Sequence, residues 1–150
     1  MVASGIAVVT GANQGIGYHI ARLIATKGYK TYLACRREKE GQRVAQELRD
    51  AGLDTHFVQL DINDQGKYQF FYISNNKNGG DNPMSKSNYG MSKCGVIALV
   101  KLLAAEEKQR APTDGSASIF YTCFCPGYCS TSMSSHIGPR SAEKGAGEYF

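Results

Sequence analysis

The sequence has no apolar run long enough to cross a membrane. Its most hydrophobic stretch, Gly95 to Ala105, is interrupted by Lys101 and is shorter than the ~20 residues a spanning helix requires. No secretory signal is expected either, because Met1 leads directly into an apolar run and a glycine-rich turn, with no basic n-region and no cleavage pattern. The expected address is the cytoplasm. Proline is scarce, at 4 residues, and with 42% hydrophobic and 20% charged residues the composition excludes collagen-like, low-complexity and disordered chains. Neither sign of charge dominates: 17 Lys and Arg against 13 Asp and Glu leave a net +4, and the basic residues are scattered, so no nucleic-acid partner is expected. The cysteines, Cys35, Cys94, Cys123, Cys125 and Cys129, are odd in number and lack the C-x-x-C spacing of structural zinc sites. His19, His56 and His136 have no ligand-like neighbours, and no metal is expected. Cys123 and Cys125, two apart in an expected strand, read as small buried hydrophobes of a reducing compartment.

What is present is the material of one folded α/β domain. A chain of 150 residues can bury about 70% of the surface its unfolded form exposes. Ile6 to Thr10 is a short β-branched run, Gly11 to Gly17 a glycine-rich turn, and Ile16, Ile20, Leu23 and Ile24 then recur at helical spacing. Lys27-Gly28 supplies the helix stop. A second strand is expected at Thr31 to Cys35. It leads to a charged helix from about Glu38, with Val44, Ala45 and Leu48 on one face, and a third strand at Thr55 to Leu60. Strand, helix, strand, helix, strand with short connections predicts a parallel sheet with right-handed crossovers, the nucleotide-binding half of a doubly wound, Rossmann-like fold.

Farther along, Asn82 to Asn88 reads as a loop and Tyr89 to about Gln109 as a largely buried helix with a broad apolar face. Ser118 to Cys125 reads as a fourth strand ended by Pro126-Gly127, and Ser141 as the cap of a last helix that the chain end at Phe150 cuts short. Between Ile62 and Ser87 there are fewer residues than the roughly 30 of one β-α-β unit, where a full doubly wound sheet would place two more units. The expectation is therefore a single domain over residues 1–150, with a nucleotide-binding half at 1–64 and a helix, strand and C-terminal segment at 82–150. Its sheet is expected to be incomplete in the middle and at the C-terminus.

A three-glycine turn between a first strand and a first helix has a physical role. One glycine permits the tight turn, one lets the backbone approach a pyrophosphate, and one lets the helix pack closely on the strand. The helix N-terminus then meets phosphate charge with free N–H groups and the positive end of its dipole. Tyr89 and Lys93, four apart on a helix, share one face, and a lysine cation one turn from a phenol favours phenolate, which suits a general acid/base. At the end of the second strand, Cys35 is followed by Arg36 and Arg37 rather than a carboxylate. A guanidinium fork suits the 2′-phosphate of NADP(H).

The ordered set Thr10-Gly11-x-x-x-Gly15-x-Gly17, Tyr89-Gly90-Met91-Ser92-Lys93, and Pro126-Gly127 followed by Thr131 resembles the short-chain dehydrogenase/reductase family, and within it the carbonyl reductases. The likeness covers residues 5–64 and about 82–147. It implies an NADPH-dependent enzyme that reduces a ketone, aldehyde or quinone, with Tyr89 protonating the oxygen and Lys93 holding the nicotinamide ribose. It further implies cofactor contacts at Gly11, Asn13, Gln14, Gly15, Ile16, Gly17, Arg36 and Arg37, adenine contacts at Asp61 and Ile62, and nicotinamide contacts at Pro126, Gly127 and Thr131. Gln14 replaces the basic residue of some NADP-using relatives, and Cys129 stands where the family often has Val. The family's Asn-Asn-Ala-Gly segment and the helix carrying its catalytic Asn are absent. Its catalytic Ser is matched by Ser74 if Tyr68 to Ser74 is the remnant of a fifth strand, and by no residue if that stretch belongs to the insertion carbonyl reductases carry before the tyrosine. The rival expectation is a shortened, catalytically impaired member that binds nucleotide weakly or serves only as an interaction partner. The substrate and the oligomeric state stay open.

Overall fold

The computed structural model describes residues 5–61, 84–110 and 118–147, giving for 84–88 and 91 the helical backbone alone. The chain divides into two compact units, one of residues 1–61 with 126–150, the other of residues 62–125.

In the first unit, β1 (Ile6–Thr10), α1 (Gly15–Thr26), β2 (Lys30–Cys35), α2 (Glu38–Asp50) and β3 (Thr55–Gln59) follow one another. They build a three-stranded sheet in the order β1-β2-β3. Both pairings are parallel, with Val8 opposite Tyr32 and Leu33 opposite Phe57. The expected elements are all present, with bounds within a residue except at α1, because each joins a matching period to a chemical stop. Lys27 caps α1, and Gly28 follows at φ +91°. On α2 the expected stripe of Val44, Ala45 and Leu48 is buried.

Two right-handed crossovers taken in the same direction place α1 and α2 on one sheet face. Ile20, Ala21 and Ala25 of α1 and the α2 stripe are buried with Val9, Leu33 and Cys35. Thr55, fully buried in β3, donates its hydroxyl to the Ala45 carbonyl at 2.9 Å and so satisfies its polar group inside the core. The alternate residues of β1 lie on the opposite face: Ile6 is 70% and Val8 62% exposed.

The C-terminal part of this unit holds β4 (Cys129–Ser130), a 3-10 turn at Ser132–Ser134, β5 (Arg140–Ser141) and α4 (Ala142–Gly147). Strands β4 and β5 pair in parallel. Ser141 caps α4 as expected, its Oγ accepting the Lys144 N–H at 3.1 Å. Helix α4 packs on α1, with Arg22 of α1 paired to Glu143 of α4 at 3.5 Å.

The second unit corrects four expectations. Helix α3 runs from Met84 to Gln109, so most of the expected 82–88 loop is helical: the Ser and Asn residues there disfavour a helix only weakly, and turns already formed beyond them propagate through them. The helix is not largely buried. Ile97 is 44% and Leu102 56% exposed, and none of Val96, Leu99, Val100 and Leu103 falls in the buried class. Ser118 to Cys125 forms no strand. A run of apolar and aromatic residues becomes a strand only where a neighbour supplies hydrogen bonds, and among the described residues none pairs with this stretch. Without that strand Cys123 and Cys125 are exposed rather than buried. Among the described residues no helix is long and apolar enough to cross a membrane.

Candidate dinucleotide and catalytic site

The turn from β1 into α1 has the shape its glycines imply. The Gly11 amide still belongs to the sheet, donating to the Ala34 carbonyl at 2.8 Å. The chain then reverses through left-handed backbone at Gly11 (φ +65°) and Gly15 (φ +58°), a region that costs an ordinary L-residue free energy. At Gly17 the constraint is contact rather than conformation, because a Cβ there would collide with the Gly11 carbonyl.

Gln14 is the N-cap residue of α1, in extended backbone, and its side chain makes no capping hydrogen bond. No acidic residue sits in the first turn. Among the described residues the opening N–H groups of α1 thus meet no side-chain cap and no carboxylate of their own turn, which suits them to an anion. Ile16 lies in this first turn, half-buried.

The C-terminal segment of the same unit brings Thr131 to this turn. A Cβ built on Gly15 would lie 3.7 Å from the Thr131 Cγ2 methyl. Thr131 is fixed by a capping box with Ser134: its hydroxyl accepts the Ser134 N–H, and the Ser134 Oγ accepts the Thr131 N–H at 2.9 Å. An acceptor role leaves a hydroxyl its own proton to donate, as contact with a carboxamide oxygen would require. Just upstream, Gly127 adopts φ +72° and the Pro126 carbonyl accepts from the Cys129 thiol at 3.3 Å. Burial pushes the Cys35 thiol up from its ordinary pKa, so Cys35 stays a neutral part of the core.

At the exit of β2, Arg36 and Arg37 are both exposed but differ in engagement. Among the described residues the Arg36 guanidinium has no ion pair, while the Arg37 Nη1 lies 2.6 Å from Glu40 Oε1. The other Glu40 oxygen accepts from the Asn13 side-chain amide at 2.9 Å. Glu40 therefore ties the glycine turn to the start of α2. Sequence reading missed it, although its i,i+3 spacing from Arg37 at a helix start was a visible sign of pairing. The contact to Asn13, 27 residues away, was not visible. Asp61, exposed, ends the first described segment, and Ile62 and Ser74 lie outside the described residues.

In the second unit, Tyr89 and Lys93 stand one turn apart on α3. The Lys93 ammonium lies 5.2 Å from the centre of the Tyr89 ring, and Tyr89 is 58% exposed. A proton donor with an adjacent cation, open to a ligand, is what a general acid needs.

The residues present fit a dinucleotide: a turn whose close approach a Cβ would fill, helix amides with no side-chain cap, a hydroxyl donor, and in Arg36 a guanidinium with no ion pair among the described residues. Comparison with known proteins agrees. The family model for short chain dehydrogenase matches residues 5–78. An uncharacterized oxidoreductase of Thermotoga maritima is 43% identical over 65 residues, covering 43% of this chain and 25% of that protein. Carbonyl reductase (NADPH) 1 of Mus musculus is 47% identical over 58 residues, covering 38% and 21%. A crystal structure of an actinorhodin polyketide ketoreductase variant with NADPH matches with a TM-score of 0.38 at 35% identity, covering 41% of this chain and 24% of that one. The chain thus spans about a quarter of the length of these relatives, between 21% and 25%. By the family-model match and these sequence relatives, residues 5–78, which hold the glycine turn, are similar to part of a short-chain dehydrogenase/reductase domain.

Proposed function

We propose that the chain binds NADP(H) and reduces a small-molecule carbonyl, a ketone, aldehyde or quinone, in the cytoplasm. The observation that carries the chemistry is the Tyr89–Lys93 pair, with the ammonium 5.2 Å from the ring centre. When bound, the reduced nicotinamide supplies a hydride to the carbonyl carbon. The chain's own part is acid catalysis and binding. The Tyr89 hydroxyl gives its proton to the carbonyl oxygen as negative charge develops there, and Lys93 stabilises the phenolate left behind and holds the nicotinamide ribose. Gly11, Gly15, Ile16 and Gly17, with Asn13 and Gln14, cradle the pyrophosphate at the N-terminus of α1. Arg36 and Arg37 face the 2′-phosphate, Asp61 and Ile62 the adenine, and Pro126, Gly127 and Thr131 the nicotinamide. Ser74 would orient the carbonyl oxygen.

A second reading is favoured by the exposed Ile97 and Leu102 of α3: a chain that binds nucleotide weakly and works through association with another subunit. One assay separates the two. Loss of NADPH absorbance is followed with a panel of ketones, aldehydes and quinones. Carbonyl-dependent oxidation supports the reductase, whereas NADPH binding without oxidation of any panel member supports the second reading and contradicts the first.

A further inference from the structure

The two arginines at the exit of β2 are not equivalent, and the difference lies in Glu40. Its carboxylate uses both oxygens: Oε1 holds the Arg37 guanidinium at 2.6 Å and Oε2 accepts the Asn13 amide at 2.9 Å. Glu40 is thereby fixed between the glycine turn and the strand end, where a dinucleotide-binding fold of this type holds the adenosine ribose. We propose that Glu40 is a cofactor-selectivity residue of this site, engaging Arg37 in competition with a ribose 2′-phosphate and so narrowing the preference for NADP(H) over NAD(H). The proposal rests on the dinucleotide reading above.

Three physical points lead in the same direction. A short charge-assisted bond already occupies Arg37, so a 2′-phosphate must displace Glu40 to use that guanidinium or rely on Arg36 alone. If Glu40 stays, a phosphate bearing about −1.5 to −2 charges is bound beside a like charge. The hydrogen bond from Arg37, aided by those from Asn13 and by the Arg43 cation, holds the Glu40 carboxyl below the usual carboxylate range, so that charge is present at neutral pH. The 2′-hydroxyl of NAD(H) suffers no such repulsion and can donate to a carboxylate.

The test is the dissociation constant of NADPH and of NADH, read from the fluorescence of the bound reduced nicotinamide, for the full chain and for Glu40→Gln. Glutamine keeps the length and an acceptor for Asn13 while removing the charge. The expected result is NADPH binding tightened about tenfold with NADH within about twofold. In an Arg37→Ala background the same change tightens NADPH by only about threefold, because only the repulsion is left to remove. Glu40→Ala shifts the NADPH to NADH ratio the same way and serves if the Gln variant does not fold. Equal changes for both cofactors, or an unchanged ratio, would overturn the proposal while leaving the dinucleotide reading intact. Failure of the unmodified chain to bind either cofactor would overturn both.

Discussion

Replacing Tyr89 by Phe is expected to abolish carbonyl-dependent NADPH oxidation while leaving NADPH binding within about threefold of the unmodified chain. The substitution removes one oxygen from a side chain that is 58% exposed and leaves the ring in place against Lys93, so neither a cavity nor an unsatisfied buried group results. What is lost is the proton donor, and removal of a general acid typically costs about 10² to 10⁴ in rate. The ring contact with Lys93, at 5.2 Å, is retained in the variant, which separates loss of the hydroxyl from loss of the pair. Steady-state turnover together with a direct binding measurement decides the matter. Turnover unchanged in the Phe variant means that Tyr89 is not the acid.

The second large effect is expected at Gly17. A methyl group there meets the Gly11 carbonyl, a backbone atom in a turn whose Gly11 amide is bonded to β2. The turn or the start of α1 must move to relieve it. Overpacking of this kind costs about 1–3 kcal/mol, and the movement falls on the segment proposed to receive the pyrophosphate. Gly17→Ala is therefore expected to weaken NADPH binding by about 10- to 100-fold, measured by fluorescence titration. Its melting temperature should fall by no more than about 10 °C. Gly52→Ala serves as the control: unlike Gly17 it sits at positive φ, and it closes α2 in open space, so the substitution should lower stability while leaving cofactor affinity unchanged. Equal loss of affinity in both variants would mean that the glycine turn has no special relation to the ligand.

The legible part of the chain is the part whose information is local. Each strand of the β1-α1-β2-α2-β3 unit is bounded by a turn signal, each helix carries its own apolar stripe and its own stop, and parallel pairing follows from the order of elements alone. Gly17 is of this kind too, since the atom it must clear is only six residues away. The misread elements depend on partners the sequence does not mark. Ser118 to Cys125 has the apolar and aromatic content of a strand but no neighbour among the described residues, and with the strand went the burial of Cys123 and Cys125. Helix α3 has the apolar content of a core helix, but its exposed Ile97 and Leu102 show that composition states a capacity for burial and not its fulfilment. Thr131 was placed at the cofactor by family likeness, and its approach to Gly15 is a product of tertiary folding. Glu40 was missed because half of its meaning lies in Asn13, across the turn.

The most direct test of the central claim, that residues 5–61 with the C-terminal segment form a dinucleotide site, is thermal unfolding of the chain with and without saturating NADPH. A ligand that binds only the folded state stabilises it by mass action, by about 2.7 kcal/mol at a hundred times its dissociation constant, which for a chain of this size is a rise of several degrees, about 5–10 °C. The account predicts a cooperative melt displaced upward by NADPH. A melt that NADPH does not move, or no cooperative transition at all, would contradict it.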